Sequence, residues 1–194
     1  MKKLLVLAVV VALSFWGCAE NSNITEPTDA QSNQSFLKVN TDNVSELSAE
    51  AKAALKVDGI STLEKSFFSS SKSVEVEAED GASIRFILAN RGTYSLGRLG
   101  IAGGALAEDA TVGIAMVNGE ASLDFTPNVA FSTPAILTVG FIGVDVHAGD
   151  DVSFVYKDGT QEVEVANSGI YVGNGWVVVL KAQLGHFSRF GFTK

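Results

Sequence analysis

The chain has 194 residues, with 14 Lys and Arg against 22 Asp and Glu, two His and a single Cys, for a formal net charge of −8. An acidic surface repels phosphate backbones and argues against a nucleic-acid partner, and a lone cysteine leaves no internal disulfide. Two histidines without a cysteine cluster also lack the ligand set of a structural zinc site, so no metal and no cofactor is expected.

Lys2 and Lys3 form a short basic start, and Leu4 to Trp16 follow as thirteen residues without a charge. At helical rise that run spans roughly 20 Å, short of the roughly 30 Å hydrocarbon core, so it reads as the apolar stretch of a signal peptide and not as a permanent span. Directly behind it stands Phe15-Trp16-Gly17-Cys18, which resembles the lipobox of bacterial lipoproteins, with Phe15 and Trp16 larger than the residues usual there. Cys18 has no partner thiol, and a thioether-linked diacylglycerol would consume it. Residues 1–17 are therefore expected to be a lipoprotein signal peptide and Cys18 the lipidation site. The membrane is then a partner through the lipid anchor, at the bacterial cell envelope. Cleavage after Ala19, with Gly17 and Ala19 as the small pair, is the alternative. Loss of the leader removes two of the 14 basic residues and none of the 22 acidic ones, leaving −10. That charge disfavours adsorption to anionic headgroups by charge alone.

Residues 18–35 continue as CAENSNITEPTDAQSNQS, with Ile24 the one large apolar residue. Such a stretch cannot bury enough surface to offset chain entropy and reads as a disordered tether. Residues 36–71 are transitional. Ser45 or Ser48 is suited to cap a short helix over Ala49 to Lys56, where alanines and Leu55 favour the helical backbone.

From Lys72 the pattern turns to period two. In SVEVEAE, Val74 and Val76 oppose Glu75, Glu77 and Glu79; in TQEVEVA, Val163 and Val165 oppose Glu162 and Glu164. These read as strands with one wet face. Four dipeptides, Asp80-Gly81, Asn118-Gly119, Asp158-Gly159 and Asn174-Gly175, each separate two such segments and predict hairpins with type I′ turns, whose two central residues both need positive φ. ASIRFILANRGTYSLGRL reads as a further hairpin. Ile136 to Val146 and Trp176 to Leu180 are apolar nearly throughout, which predicts strands buried on both faces or a face that meets a partner. The expected class is all-β: an antiparallel β-sandwich over 72–194, preceded by signal peptide, disordered tether and short helix.

Three segments carry a family likeness. They are Leu99-Gly100-Ile101-Ala102-Gly103-Gly104-Ala105-Leu106 running on to Val112; Leu123-Asp124-Phe125-Thr126-Pro127-Asn128 running through Phe131-Ser132-Thr133-Pro134 to Val139; and His186-Phe187-Ser188-Arg189-Phe190. In order and spacing they resemble the ZU-five domain of zonula occludens protein, netrin receptors and ankyrins. Ala102 stands where that family has Pro, and Thr126 where it has Gly. The resemblance implies a β-sandwich and protein–protein contacts. It also implies a sharper chemistry, because some members cut themselves between the Phe and Ser of His-Phe-Ser. On that reading Ser188 Oγ attacks the Phe187 carbonyl, His186 takes the proton as base, and water then cleaves the ester. If Phe187, Phe190 and Phe192 all enter one core, the strand must bulge between Phe187 and Phe190; otherwise the last strand is buried on both faces. The plainer reading makes Phe187 a core residue and His186 a hydrogen-bonded strand residue.

Other groupings carry less. His147 with Asp150 and Asp151 reads as a solvated turn, Glu108-Asp109 lacks EF-hand spacing, and Glu75, Glu77 and Glu79 form a wet face. No Gly-x-Ser-x-Gly elbow, P-loop or dinucleotide fingerprint is present, and the glycines at 97, 100, 103 and 104 suit turns and close packing. The expectation is a non-enzymatic, membrane-anchored exported lipoprotein whose β-sandwich contacts a protein partner, with the self-cleaving domain as alternative.

Overall fold

Period-two segments need partners for both backbone edges and cover for one face, and two stacked antiparallel sheets supply both. The computed structural model describes residues 35–42, 45–55, 69–158 and 161–194. The strands are β1 (Ser71–Val76), β2 (Ala82–Asn90), β3 (Thr93–Ile101), β4 (Ala110–Met116), β5 (Ser122–Thr126), β6 (Ala130–Ile142), β7 (Ser153–Asp158), β8 (Gln161–Glu164), β9 (Gly169–Gly173), β10 (Trp176–His186) and β11 (Arg189–Thr193), with one helix, α1 (Ala49–Leu55). They form a six-stranded sheet in the order β1-β4-β5-β11-β7-β8 and a five-stranded sheet in the order β2-β3-β6-β10-β9. All of the pairings are antiparallel, so the chain is an all-β sandwich. Alternate residues point inward: Ile84, Phe86 and Leu88 from β2, Leu137, Val139 and Phe141 from β6, and Leu123, Phe125, Phe190 and Phe192 from the other layer are all buried in one core.

The turns depart from expectation in an instructive way. Asp80-Gly81 does not close a hairpin, because β1 and β2 lie in different sheets. It carries the chain across the sandwich edge. Gly81, at φ +68°, lies so close to β3 that a Cβ would run into the Ile101 carbonyl oxygen. Asn118-Gly119 does join the paired strands β4 and β5, and Asn174-Gly175 joins Gly173 to its partner Trp176. In both, only the glycine has positive φ, +78° and +76°, so neither turn is type I′. Among the described residues, the turn with two left-handed residues is Arg91-Gly92, at φ 49° and 88°, between the paired Asn90 and Thr93. The expected β7–β8 hairpin is present through the pairing of Asp158 with Gln161; Gly159 lies outside the described residues.

The helix forms over Ala49–Leu55 and is capped by Ser48, whose Oγ accepts the Ala51 N–H at 3.2 Å. Ser45 is engaged elsewhere, with a hydroxyl that donates to the Asn174 carbonyl at 3.0 Å and accepts the Trp176 indole N–H at 3.1 Å. Ala51, Leu47 and Leu55 pack on Trp176 and Val178, on the outward face of β10, while Val177 and Val179 point into the core. The apolar run Trp176–Leu180 is thus covered on one side by the sandwich and on the other by the helix.

The folded unit starts well ahead of residue 72. Phe36 is buried on the outward face of the six-stranded sheet, its ring against Gly191 and beneath the Lys157 ammonium, 4.7 Å from the ring centroid. Leu37 enters the core; its N–H donates to the Phe192 carbonyl at 2.7 Å and its carbonyl accepts the Ala121 N–H at 2.8 Å. Lys38 bridges to Glu120 and Val39 to Val144. The strap 36–40 thereby ties a loop of one sheet to a loop of the other and closes that end of the sandwich.

Candidate functional site: the His186–Phe187–Ser188 corner

The last segment of the chain changes sheets. β10 ends at His186 in the five-stranded sheet, and β11 starts at Arg189 in the six-stranded one, paired with Asp124. Phe187 and Ser188 form the corner between them. Phe187, Phe190 and Phe192 all lie in the one core, and the change of side that this requires is made by the crossing between layers. The register of β10 does shift, but ahead of the corner: at Lys181, with φ 49°, between the pairings of Val179 and Ala182, and again between those of Leu184 and His186.

The corner is held from several directions. The Phe187 ring is fully buried, stacked on Phe125 at 5.4 Å and edge-on to Phe131 at 4.7 Å. The Phe187 N–H donates to the Val129 carbonyl at 2.8 Å, and the Ser188 carbonyl accepts the Phe125 N–H at 3.1 Å. The peptide between Phe187 and Ser188 is therefore fixed on both sides. His186 lies edge-on to Tyr156 at 4.6 Å, and its Nδ1 is 3.3 Å from the Phe187 carbonyl oxygen. In the Nδ1–H tautomer that nitrogen donates to the carbonyl. Ser188 is half-buried.

The three segments singled out in the sequence meet at this end of the sandwich. Ser132 donates through Oγ to the Gly104 carbonyl at 2.8 Å and through N–H to the Ala105 carbonyl at 3.0 Å, while Phe125 and Phe131 pack on Phe187. Tyr156, the aromatic partner of His186, gave no signal in the sequence, since it lies thirty residues away on a strand whose pairing with β11 only the fold establishes.

The remaining candidates serve structure. The Asp150 carboxylate accepts the His147 N–H at 2.9 Å and pairs with Lys194 at 3.0 Å; the His147 N–H, then Lys194, hold its carboxyl below the ordinary range. Asp109 accepts the Ala78 N–H at 2.8 Å and ties the β3–β4 loop to the end of β1. Glu75, Glu77 and Glu79 are exposed. No group of three or more His, Cys, Asp or Glu among the described residues is arranged to hold a metal. A concavity of about 240 Å³ on the outward face of β7, β8 and β11 is lined by Asp151, Ser153, Glu162, Glu164, Thr193 and Lys194. Residues 1–17 and Cys18 lie outside the described residues.

No family model, no curated protein and no solved structure matches this chain.

Proposed function

We propose that this chain is an exported bacterial lipoprotein, acylated at Cys18, whose β-sandwich acts at the cell envelope by contact with a protein partner. The observation that carries the reading is the order of the N-terminal features. Two lysines, an uncharged stretch and the one cysteine are followed by a polar spacer that runs up to Phe36, the first buried side chain among the described residues. An anchor with two acyl chains holds stably, at about 0.8 kcal/mol per buried CH₂. Labelling with a palmitate analogue tests the reading. Label is expected on the parental chain and absent from Cys18→Ala; equal labelling of both would refute it.

A second reading, self-cleavage between Phe187 and Ser188, is favoured by the contact of His186 Nδ1 with the Phe187 carbonyl oxygen at 3.3 Å. Ser188 Oγ adds to that carbonyl carbon, the C–N bond breaks, the hydroxyl proton passes to the released amine, and water hydrolyses the resulting ester. A donor on the carbonyl oxygen stabilises the charge that develops there during attack. Intact mass under denaturing conditions decides it. Loss of the segment Ser188–Lys194, abolished in Ser188→Ala, supports cleavage, and a chain that stays whole removes it.

A further inference from the structure

The acidic residues on the strands of the sandwich all lie in one of its two layers. None of the five strands β2, β3, β6, β9 and β10 contains an Asp or Glu, whereas Glu75, Asp124, Asp158, Glu162 and Glu164 all stand on strands of the six-stranded sheet. On the outward face of the five-stranded sheet, Arg85 and Arg98 are direct cross-strand partners. Like charges in that relation repel and weaken the pairing. Among the described residues neither guanidinium has a carboxylate in ion-pair range; Arg98 Nε donates only to Ser83 Oγ, at 2.9 Å. At the edge between the layers, Lys72 of β1 donates its ammonium to the Arg85 carbonyl at 2.7 Å.

Apolar side chains frame this basic group. Ile87 follows Arg85 on the same face of β2, and Ile136 lies beside Gly100, one step along β3 from Arg98. Ile87, Ile136 and Tyr171, at 37%, 40% and 39% exposure, are the exposed large hydrophobic side chains of the described residues, and all three stand on this face. Cations beside exposed aliphatic groups match a surface with anionic headgroups over hydrocarbon.

We propose that the outward face of the five-stranded sheet, centred on Arg85 and Arg98 between Ile87 and Ile136, rests on a membrane containing anionic lipid. The inference deepens the lipoprotein reading, since the anchor would bring the domain within reach. The net charge disfavours adsorption by charge alone, and what favours contact is the local distribution of charge. Charges beyond about 8–10 Å are largely screened, so the carboxylates of the six-stranded sheet are felt weakly at the opposite face; this side also carries Glu50 on α1 and, just ahead of it, Glu46, which pairs with Lys52 at 3.8 Å. The spacer of residues 19–35 holds 17 residues, which at full extension reach roughly 55–60 Å, ample to pass around a sandwich whose sheets stack about 10 Å apart.

The test holds residues 19–194, which contain every described residue, on vesicles through a hexahistidine tag ahead of Ala19 and a nickel-chelating lipid. It is thus independent of Cys18, and an added cysteine is the only thiol. Ile136→Cys carries an environment-sensitive fluorophore, with Glu164→Cys on the acidic layer as control. On phosphatidylcholine vesicles with added phosphatidylglycerol the label at 136 is expected to shift to the blue. It should not shift on phosphatidylcholine alone, and the label at 164 should not shift on either. Two arginines favour the facing orientation by roughly 25-fold, so Arg85→Gln with Arg98→Gln should lose the shift. An equal response on both vesicles, a shift that survives the double variant, a shift produced by inorganic phosphate alone, or one that grows with protein concentration without vesicles would each overturn the proposal. A positive result here with no palmitate label in cells would leave the face and end the anchor.

Discussion

The two outward faces of the sandwich are each covered in part by chain from ahead of the first strand, but on different terms. On the six-stranded sheet the cover is one ring: Phe36 lies on Gly191, where any Cβ would collide with it, and Lys157 closes over the top. Two ion pairs cross between strands on that face: Arg189 to Asp124, in two hydrogen bonds at 2.7 and 3.1 Å, and Lys157 to Glu162 at 3.7 Å. On the five-stranded sheet the cover is a helix, with Leu55 over Gly140 and Ala51 packed with Trp176 and Val178. Beyond the helix the arginines have no carboxylate partner among the described residues and the isoleucines are open. One face has cross-strand ion pairs, and the other has neighbouring arginines without a carboxylate partner among the described residues, beside exposed apolar side chains.

That contrast can be broken at its covers first. Trp176→Ala removes the platform of α1 and should cost about 4 kcal/mol in urea unfolding, and Phe36→Ala should cost about 3 kcal/mol. A larger loss at Phe36 than at Trp176 would reverse the ranking of the covers. A loss under about 1 kcal/mol at either would show that cover to be superficial. The charge contrast is the next lever. Asp124→Ala removes a bidentate pair that is close to half exposed, and should cost about 0.5–1 kcal/mol, less at high salt. Arg85→Glu should do the opposite, turning a like-charge pair with Arg98 into an attractive one and stabilising the fold by a few tenths of a kcal/mol. If both substitutions destabilise alike, the two faces do not differ in the way described.

Ser95 offers a test between the layers. Its hydroxyl is fully buried on the inward face of β3 with no hydrogen-bond partner among the described residues. Ser95→Ala removes that cost and should leave stability unchanged or raise it by up to about 1 kcal/mol, measured by thermal unfolding. The smallest expected effect is at Asp150. Its carboxyl is held below the ordinary range by the His147 N–H and then Lys194, so its contribution is present above the unfolded-state pKa and is lost as pH falls through the folded value. Asp150→Asn should therefore be less stable than the parent at neutral pH and indistinguishable from it in strong acid. A difference that persists in acid would place the cause outside that carboxylate.

Much of this was legible locally. The alternation of Val74 and Val76 against glutamates, and of Val163 and Val165 against theirs, is a property of single strands, and so is the Ser48 cap. The turn dipeptides located the chain reversals but not what they join. Asp80-Gly81 looks like the others, yet it leads to the opposite sheet, because the partner of β1 is β4 and not its neighbour in sequence. The site behaved in the same way. His186, Phe187 and Ser188 are adjacent in the sequence, and the family resemblance implied that the imidazole would serve the hydroxyl. The contact the fold makes is with the Phe187 carbonyl, because the crossing between layers turns the backbone there.

By itself the sequence determined which stretches are extended, which side chains alternate, where the chain reverses, and that acidic residues outnumber basic ones. These follow from residue-by-residue propensity and period. Only the tertiary structure decided which strands are neighbours, that Phe36 and α1 lie over opposite sheets, and that the five acid-free strands assemble into one layer. Pairing across the sandwich joins residues distant in the chain, and such choices depend on how the whole set of strands shares one core.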